Sequence, residues 1–153
     1  MSSTATWLVD TSALARLSVP EVDAVLRPRI DAGRVAVAAV TWLEIGYTAR
    51  SRADHQRSQQ PVLQRLQLVY GTPGSERRAI DVQEQLMDVG HHRTVKLPDL
   101  LVAAIAETEG LTVLHYDADF DRVSQLTGQP TEWVSEPGGR FPGTVRGEAA
   151  DVA

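Results

Sequence analysis

The stretch from residue 92 to residue 122 constrains the fold of this chain more than any other. Within it, Pro98 suits the first turn of a helix, because the N–H that proline lacks would have no partner there. A mostly apolar helix is predicted to follow and to stop at Gly110, and the next apolar run predicts a buried strand. Acids mark this unit, with Asp99 at the helix start and Asp117 directly after the strand. Because helix starts and the carboxyl ends of parallel strands share one edge of an α/β sheet, the two acids are expected to face one crevice.

Two earlier units repeat the pattern of a short apolar strand followed by an acid. Residues 6–9 form an apolar run that ends at Asp10. Residues 34–40 have the β-branched content of a strand and are followed by Glu44. Strands that alternate with helices predict an α/β fold, with a parallel sheet covered by helices on both faces. The other predicted helices cover residues 11–17, 20–33, 75–90 and 119–126, and the third is expected to have Ser75 as its cap and Ile80 and Met87 facing inward. Residues 131–134 predict an edge strand, and residues 66–70 predict either a short strand or the end of a helix that begins at Pro61.

Each of these acids has a structural explanation when it is taken alone. Asp10 would cap the helix that follows it, and Asp99 suits the positive end of a helix dipole. Thr41 and Glu44 have the spacing of a capping box. Four acids at one edge are harder to explain in this way, because clustered carboxylates repel one another and a divalent cation removes that conflict. With oxygen ligands and no cysteine, Mg²⁺ or Mn²⁺ is the expected ion, and it could activate water and stabilise charge on a phosphodiester.

The composition is that of a globular protein of one domain. The chain has 153 residues, of which 42% are hydrophobic and 23% charged, enough to bury a substantial core. The net charge of −5 argues against a general nucleic-acid coat protein, which would be basic, but not against a nuclease whose site needs acids. The absence of cysteine excludes disulfides. No signal peptide is visible, and no apolar run approaches the ~20 residues that span a bilayer, so a cytoplasmic protein without membrane contact is expected.

Two other interpretations of the acids in Asp117–Asp121 fit the sequence less well. An EF-hand loop would need Gly at its sixth position and Glu at its twelfth, where this chain has Arg122 and Gly128. The Asp-x-Asp motif of haloacid-dehalogenase-like phosphatases stands near the N-terminus of that fold, whereas here only a short segment follows. The four histidines show no zinc-site spacing. His115 is either a support behind the acids or simply a strand residue.

Four motifs in order give the chain a specific resemblance to a known family. They are Leu8–Ala13, Thr41–Glu44, Leu97–Ala106 and Tyr116–Asp121, and with their flanks they cover residues 6–134. In these motifs the chain resembles the PIN-domain nucleases, and among them the VapC-type ribonuclease toxins of type II toxin–antitoxin pairs. The fold implied is a PIN-like three-layer α/β fold, with a short parallel sheet flanked by helices.

The resemblance also implies an activity and its residues. It implies Mg²⁺- or Mn²⁺-dependent cleavage of single-stranded regions of RNA by a homodimer, inhibited by a cognate VapB-type antitoxin whose tail enters the acidic groove. The residues that match the catalytic acids of the family are Asp10, Glu44, Asp99 and Asp117. The expected metal ligands are Asp10, Asp99, Asp117 and the auxiliary acid Asp119.

The resemblance is less informative about the rest of the site and chain. Ser12 matches a position that often supports the metal site, and His115 stands where the family commonly has Thr or Ser. The candidates for substrate binding are Ser12, Arg50, Arg52 and Arg93. The three arginines are chosen because phosphate contacts normally come from Arg and Lys, and the alternative for each of them is solvated surface. Residues 1–136 are the predicted nuclease domain, and the Pro- and Gly-rich residues 137–153 are a predicted flexible tail. The alternative function is a PIN scaffold that binds RNA or protein without cutting.

Overall fold

Short strands alternate with helices along the whole described chain. The computed structural model describes residues 4–137. The strands are β1 (Trp7–Val9), β2 (Val35–Ala38), β3 (Gln67–Val69), β4 (Thr112–His115) and β5 (Thr131–Trp133). The helices are α1 (Thr11–Leu14), α2 (Pro20–Asp31), α3 (Ala39–Tyr47), α4 (Arg52–Asp54), α5 (Gln60–Leu63), α6 (Pro73–Asp88), α7 (Leu97–Glu109) and α8 (Asp119–Thr127), with a π-helical turn (His55–Gln59) between α4 and α5. Every predicted strand is present.

The five strands form one sheet in the order β3-β2-β1-β4-β5, and all neighbouring pairs are parallel. Strand β1 lies in the middle, with Val9 opposite Val37 of β2 and Leu114 of β4. The chain therefore moves outward from β1 on one side and returns to the other side through β4. Ligands of such sheets bind where the strand order reverses, beyond the carboxyl ends of the strands. Here that point lies between β1 and β4.

Each face of the sheet is covered by its own apolar core. Side chains of successive strand residues point to opposite faces, so Leu8 enters one core and Val9 the other. The first core is completed mainly by α6, α7 and α8, and the second by α1, α2 and α5. The predicted three-layer α/β architecture is thus confirmed.

Helix α7 carries one of the acids into the interior. Pro98 stands in its first turn and Gly110 ends it with φ of +67°, a left-handed conformation that glycine adopts without strain. Most of its residues are buried, including Val102 and Ala106. Its position in the first core fixes Asp99 at the edge of the sheet.

Three local predictions are wrong. Thr41 and Glu44 form no capping box, because α3 begins earlier, at Ala39, and continues directly from β2. The cap of α6 is Thr72 in place of Ser75, although Ser75 completes a capping box with it. On the same helix, Ile80 and Met87 were predicted to point inward but are about half exposed. The helical spacing of apolar residues indicates one apolar face, but it does not show how much of that face the rest of the protein buries.

Two further expectations concern the chain as a whole. The predicted tail at 137–153 lies outside the described residues except for Pro137. Within residues 4–137, no helix combines the length and apolar character that crossing a membrane requires.

Candidate metal centre

Acids from separate elements meet at the carboxyl edge of the sheet. Asp10 follows β1, and Asp117 lies two residues beyond the end of β4. Asp99 stands in the first turn of α7, and Asp119 begins α8. Glu44 lies on α3, which leaves the end of β2. The common origin of these acids at strand ends and helix starts explains why the sequence could place them together.

The tightest group consists of Asp99, Asp117 and Asp119. One carboxylate oxygen from each lies within 4.8 Å of the others, a spacing that could hold a metal ion. Asp99 is only 5% exposed, and its Oδ2 is buried without a hydrogen-bond partner. A buried polar atom without a partner is costly, and a cation bound by the three acids would satisfy this oxygen. We call these three residues the acidic cluster.

Asp10 is held beside the acidic cluster by Ser12. The Ser12 Oγ donates to Asp10 Oδ2 at 2.6 Å, and the Ser12 backbone N–H donates to the same oxygen at 3.0 Å. The other oxygen, Oδ1, is buried without a hydrogen-bond partner. Asp10 thus caps α1, as predicted, and still has an unused oxygen.

Glu44 is tied to the site by a residue that the sequence analysis did not single out. Thr11 Oγ1 donates to Glu44 Oε1 at 2.9 Å, which links α3 to α1. This contact replaces the capping box as the partner of the carboxylate. Glu44 does not belong to the tight group, but burial raises its pKa and the charge of Asp10 raises it further.

The pKa values of three of these acids are raised, because folding buries them beside one another. Burial raises the pKa of Asp99, and the charges of Asp10 and Asp117 raise it further, to about 8. Burial also raises the pKa of Asp10 despite the hydrogen bonds from Ser12, and that of Glu44 despite the bond from Thr11. Carboxyl groups that resist ionisation beside other acids favour a cation in their midst.

Lys96 supplies a positive charge that sequence reasoning missed. Its Nζ lies 2.8 Å from Asp117 Oδ2 and 3.7 Å from Asp119 Oδ2. A basic residue directly before a helix is ordinarily read as solvated surface. The available signal was that Lys96 is the single lysine of the chain and directly precedes the Leu-Pro-Asp motif.

His115 lies behind the acids in an aromatic setting. Its ring is fully buried, with its centroid 4.9 Å from those of Phe120 and Trp133. Burial lowers the pKa of the imidazole to about 4, so the ring is neutral near pH 7. Its Nδ1 accepts a hydrogen bond from the backbone N–H of Asp117 at 3.1 Å. The ring therefore supports the loop that carries Asp117, where the sequence analysis left support and plain strand residue as alternatives.

Of the predicted substrate-binding residues, Ser12 contacts an acid of the site, whereas the three arginines do not pair with the acidic cluster. Arg50, Arg52 and Arg93 are exposed, and no ion pair among the described residues joins them to the acidic cluster. Arg52 instead lines an open cavity of about 480 Å³ beside α3, together with Trp42 and Tyr47. None of the acids lines that cavity. Ser12 uses its hydroxyl within the protein, on Asp10 and the backbone of residue 116.

Comparison with known proteins agrees with this geometry. The profile of the PIN domain family matches residues 7–126. Ribonuclease VapC21 of Mycobacterium tuberculosis is 43% identical over 135 residues, which are 88% of this chain and 98% of that protein. Ribonuclease VapC2 of the same organism is 46% identical over 127 residues, which are 82% of this chain and 90% of that protein.

A solved structure shows the same fold at much lower identity. VapBC2 from Rickettsia felis, bound to a DNA fragment from its promoter, matches with a TM-score of 0.71 and 16% identity over 83% of this chain and 97% of that chain. The chain belongs to the PIN-domain family. Its similarity to the two mycobacterial proteins places it among the VapC relatives within that family, which confirms the resemblance found in the four motifs.

Proposed function

We propose that this protein is a metal-dependent endoribonuclease that cleaves single-stranded regions of RNA and acts as the toxin of a toxin–antitoxin pair. The observation that carries the proposal is the meeting of Asp99, Asp117 and Asp119 at the carboxyl edge of the sheet, with their oxygens within 4.8 Å of one another. Family membership supports it, because the similar proteins are named ribonucleases. The proposed nuclease domain is residues 1–136.

The residues at this edge fit a divalent ion. All donors are carboxylate oxygens, which suit the hard ions Mg²⁺ and Mn²⁺. The buried and unpartnered Oδ2 of Asp99 and Oδ1 of Asp10 are oxygens that such an ion would satisfy. We assign Asp10, Asp99 and Asp117 as the ligands, with Asp119 as the auxiliary one. When bound, the ion supplies activation of water and stabilisation of negative charge on the phosphate.

The protein's own residues prepare this site. Asp10, Glu44, Asp99 and Asp117 are the proposed catalytic acids. Glu44 stands apart from the tight group and is held by Thr11, so it can accept or orient a proton at its free oxygen. Arg50, Arg52 and Arg93 are exposed and remain proposed contacts to the RNA backbone, where Arg side chains bind phosphate.

The proposed partners are RNA, a cognate VapB-type antitoxin and a second copy of this chain. The antitoxin follows from the similarity to VapC proteins and is best sought as a small gene beside this one. A toxin that attacks RNA would act in the cytoplasm. The homodimer is tested by light scattering at micromolar concentration, where a monomer would contradict it.

Cleavage is tested with purified protein and RNA, with and without Mg²⁺. We expect Asp99→Asn to abolish cleavage while the circular dichroism spectrum stays that of the folded protein. Asp81→Asn is the matched control, because Asp81 is a partly exposed acid paired with Arg77 on α6, away from the acidic cluster. Cleavage by a folded Asp99→Asn variant at the wild-type rate would refute the assignment. RNA binding without any cleavage by the wild type would favour the alternative of a non-cleaving PIN scaffold.

A further inference from the structure

Lys96 is unusual both in its position and in its residue type. The chain contains 15 basic residues, and every one of them except Lys96 is an arginine. This one lysine lies with its Nζ 2.8 Å from Asp117 Oδ2 and 3.7 Å from Asp119 Oδ2. It therefore neutralises two of the three acids whose oxygens converge at the candidate metal centre.

The chemistry of lysine suits a contact that must be broken. A guanidinium binds a carboxylate through two parallel hydrogen bonds in a fixed plane, whereas an ammonium is a compact, strongly hydrated point charge on a flexible stem. The Lys96 side chain is 66% exposed, so water can receive the ammonium as soon as it leaves the acids. An arginine in its place would hold the carboxylates more firmly.

Hydrogen bonds hold the backbone of Lys96, whereas its side chain is largely exposed and ends in the ion pairs. The residue caps the start of α7, and its carbonyl accepts hydrogen bonds from the N–H groups of Asp99 at 3.1 Å and Leu100 at 3.2 Å. Its own N–H donates to Asp119 Oδ2 at 3.4 Å. Rotation of the side chain therefore leaves the helix start and the acids in place.

We propose that Lys96 is the internal counter-ion of the acidic cluster, that a divalent ion displaces it from Asp117 and Asp119, and that the released ammonium then binds a phosphate of the RNA. This inference rests on the proposed function, because it needs both the ion and the RNA. Two cations on the same carboxylate oxygens repel each other, so occupation by the ion favours the release of Lys96. The freed ammonium lies beside the reaction centre, where the substrate brings negative charge.

Displacement is tested by calorimetric titration of Ca²⁺, whose binding can be measured without relying on turnover. We expect Lys96→Met to bind Ca²⁺ about fivefold more tightly than wild type, since an exposed ion pair worth up to about 1 kcal/mol no longer competes. Lys96→Arg keeps the charge but binds carboxylates through two bonds, so its Ca²⁺ affinity should fall below that of wild type. Arg77→Met is the matched control, because Arg77 is also 66% exposed and ion-paired, but to Asp81 on α6. It should bind Ca²⁺ like wild type.

The phosphate contact is tested by the salt dependence of RNA binding. In Ca²⁺, log K for RNA binding should fall less steeply with log salt for Lys96→Met than for wild type. The two slopes should differ by about 0.7, the value for one phosphate contact on a single strand. With EDTA in place of Ca²⁺ the two slopes should agree, because Lys96 is then still paired with the acids. Equal slopes in Ca²⁺ would overturn the phosphate contact.

The outcomes separate this inference from the proposed function. Wild-type protein that binds no divalent ion would overturn both. Wild-type protein that binds Ca²⁺ and cleaves RNA with Mg²⁺, while Lys96→Met and Lys96→Arg bind Ca²⁺ with unchanged affinity, would overturn only the role of Lys96. An effect of Arg77→Met as large as that of Lys96→Met would also overturn it, because net charge alone would then explain the result.

Discussion

The hydroxyl of Ser12 donates a hydrogen bond of 2.6 Å to Oδ2 of Asp10. The same hydroxyl accepts a hydrogen bond of 2.9 Å from the backbone N–H of Tyr116. Since Asp10 follows β1 and Tyr116 follows β4, one serine joins the two strand ends between which the strand order reverses. Ser12 therefore orients Asp10 and leaves Oδ1 of that acid for a ligand. It is a positioning residue in this site.

Replacing Ser12 by Ala should impair cleavage much more than stability. We expect a loss of about 1 kcal/mol in the free energy of unfolding and a fall of about 10- to 100-fold in cleavage, as is usual when a residue that orients a metal ligand is lost. Ser124→Ala is the control, because the Ser124 hydroxyl donates to the Gln129 carbonyl, away from the acids. Urea denaturation and an RNA cleavage assay measure the two effects. Equal activity losses in both variants would contradict the role of Ser12.

Replacing Glu44 by Gln distinguishes a structural from a catalytic carboxylate. Gln can still accept the hydrogen bond from Thr11 Oγ1, so the free energy of unfolding should change by less than about 1 kcal/mol. Cleavage should fall strongly because the charge is lost. Thr11→Val keeps the charge but removes the hydrogen bond, and it should cost about tenfold in cleavage. A Gln variant with wild-type activity would show that Glu44 serves only to connect α3 and α1.

The central strands and the place where the acids meet could be predicted from the sequence. Strands β1, β2 and β4 were found because a short apolar run precedes an acid or a helix, and burial on both faces of a parallel sheet demands such runs. The edge strands β3 and β5 are less buried and gave weaker signals, an alternating pattern and a short run near the end of the predicted domain. The meeting of Asp10, Asp99 and Asp117 followed from the same rule, since parallel strands and the helices around them share one edge.

What the sequence could not show depends on side chains that are distant along the chain. Thr11 and Glu44 are 33 residues apart, and no local pattern links them. Lys96 and Asp117 are 21 residues apart, and a lysine before a helix is normally exposed. The start of α3 was also missed, because the chain passes from β2 into the helix without a polar cap.

A divalent ion should raise the melting temperature of the protein. An ion that binds only the folded state stabilises it by RT ln(1 + [L]/Kd), about 2.7 kcal/mol at ~100 times Kd. Mn²⁺, Mg²⁺ and Ca²⁺ should all act, but Ca²⁺ should support little cleavage because it takes more ligands at longer distances. Asp99→Asn should shrink the rise, whereas Asp81→Asn should leave it unchanged. Thermal denaturation at fixed ionic strength measures it, and a melting temperature indifferent to these ions would exclude a shared site.

The free energy of unfolding of the metal-free protein should depend on pH, because folding raises the pKa of Asp99. The folded-state pKa of Asp99 lies at about 8, above the value of 3.8 for a free Asp side chain. Between these values the folded state binds a proton that the unfolded state has released, so stability falls as pH rises. The slope is at most about 1.4 kcal/mol per pH unit for one group. The raised pKa values of Asp10 and Glu44 act in the same direction.

His115 opposes this trend at lower pH, which fixes the window for the measurement. Its pKa falls from 6.5 to about 4 on folding, so its protonation in the unfolded state destabilises the fold as pH drops below 6.5. That effect is half complete at pH 6.5 and nearly complete about one pH unit higher, so it opposes the acids less and less above pH 6.5. In EDTA, the free energy of unfolding of wild type should therefore decrease from pH 6.5 to 8. Urea denaturation of Asp99→Asn should give a flatter dependence, and Asp81→Asn should follow wild type. Parallel curves for wild type and Asp99→Asn would show that the pKa of Asp99 is not raised by folding. The carboxylates at the edge of the sheet would then not repel one another as described here.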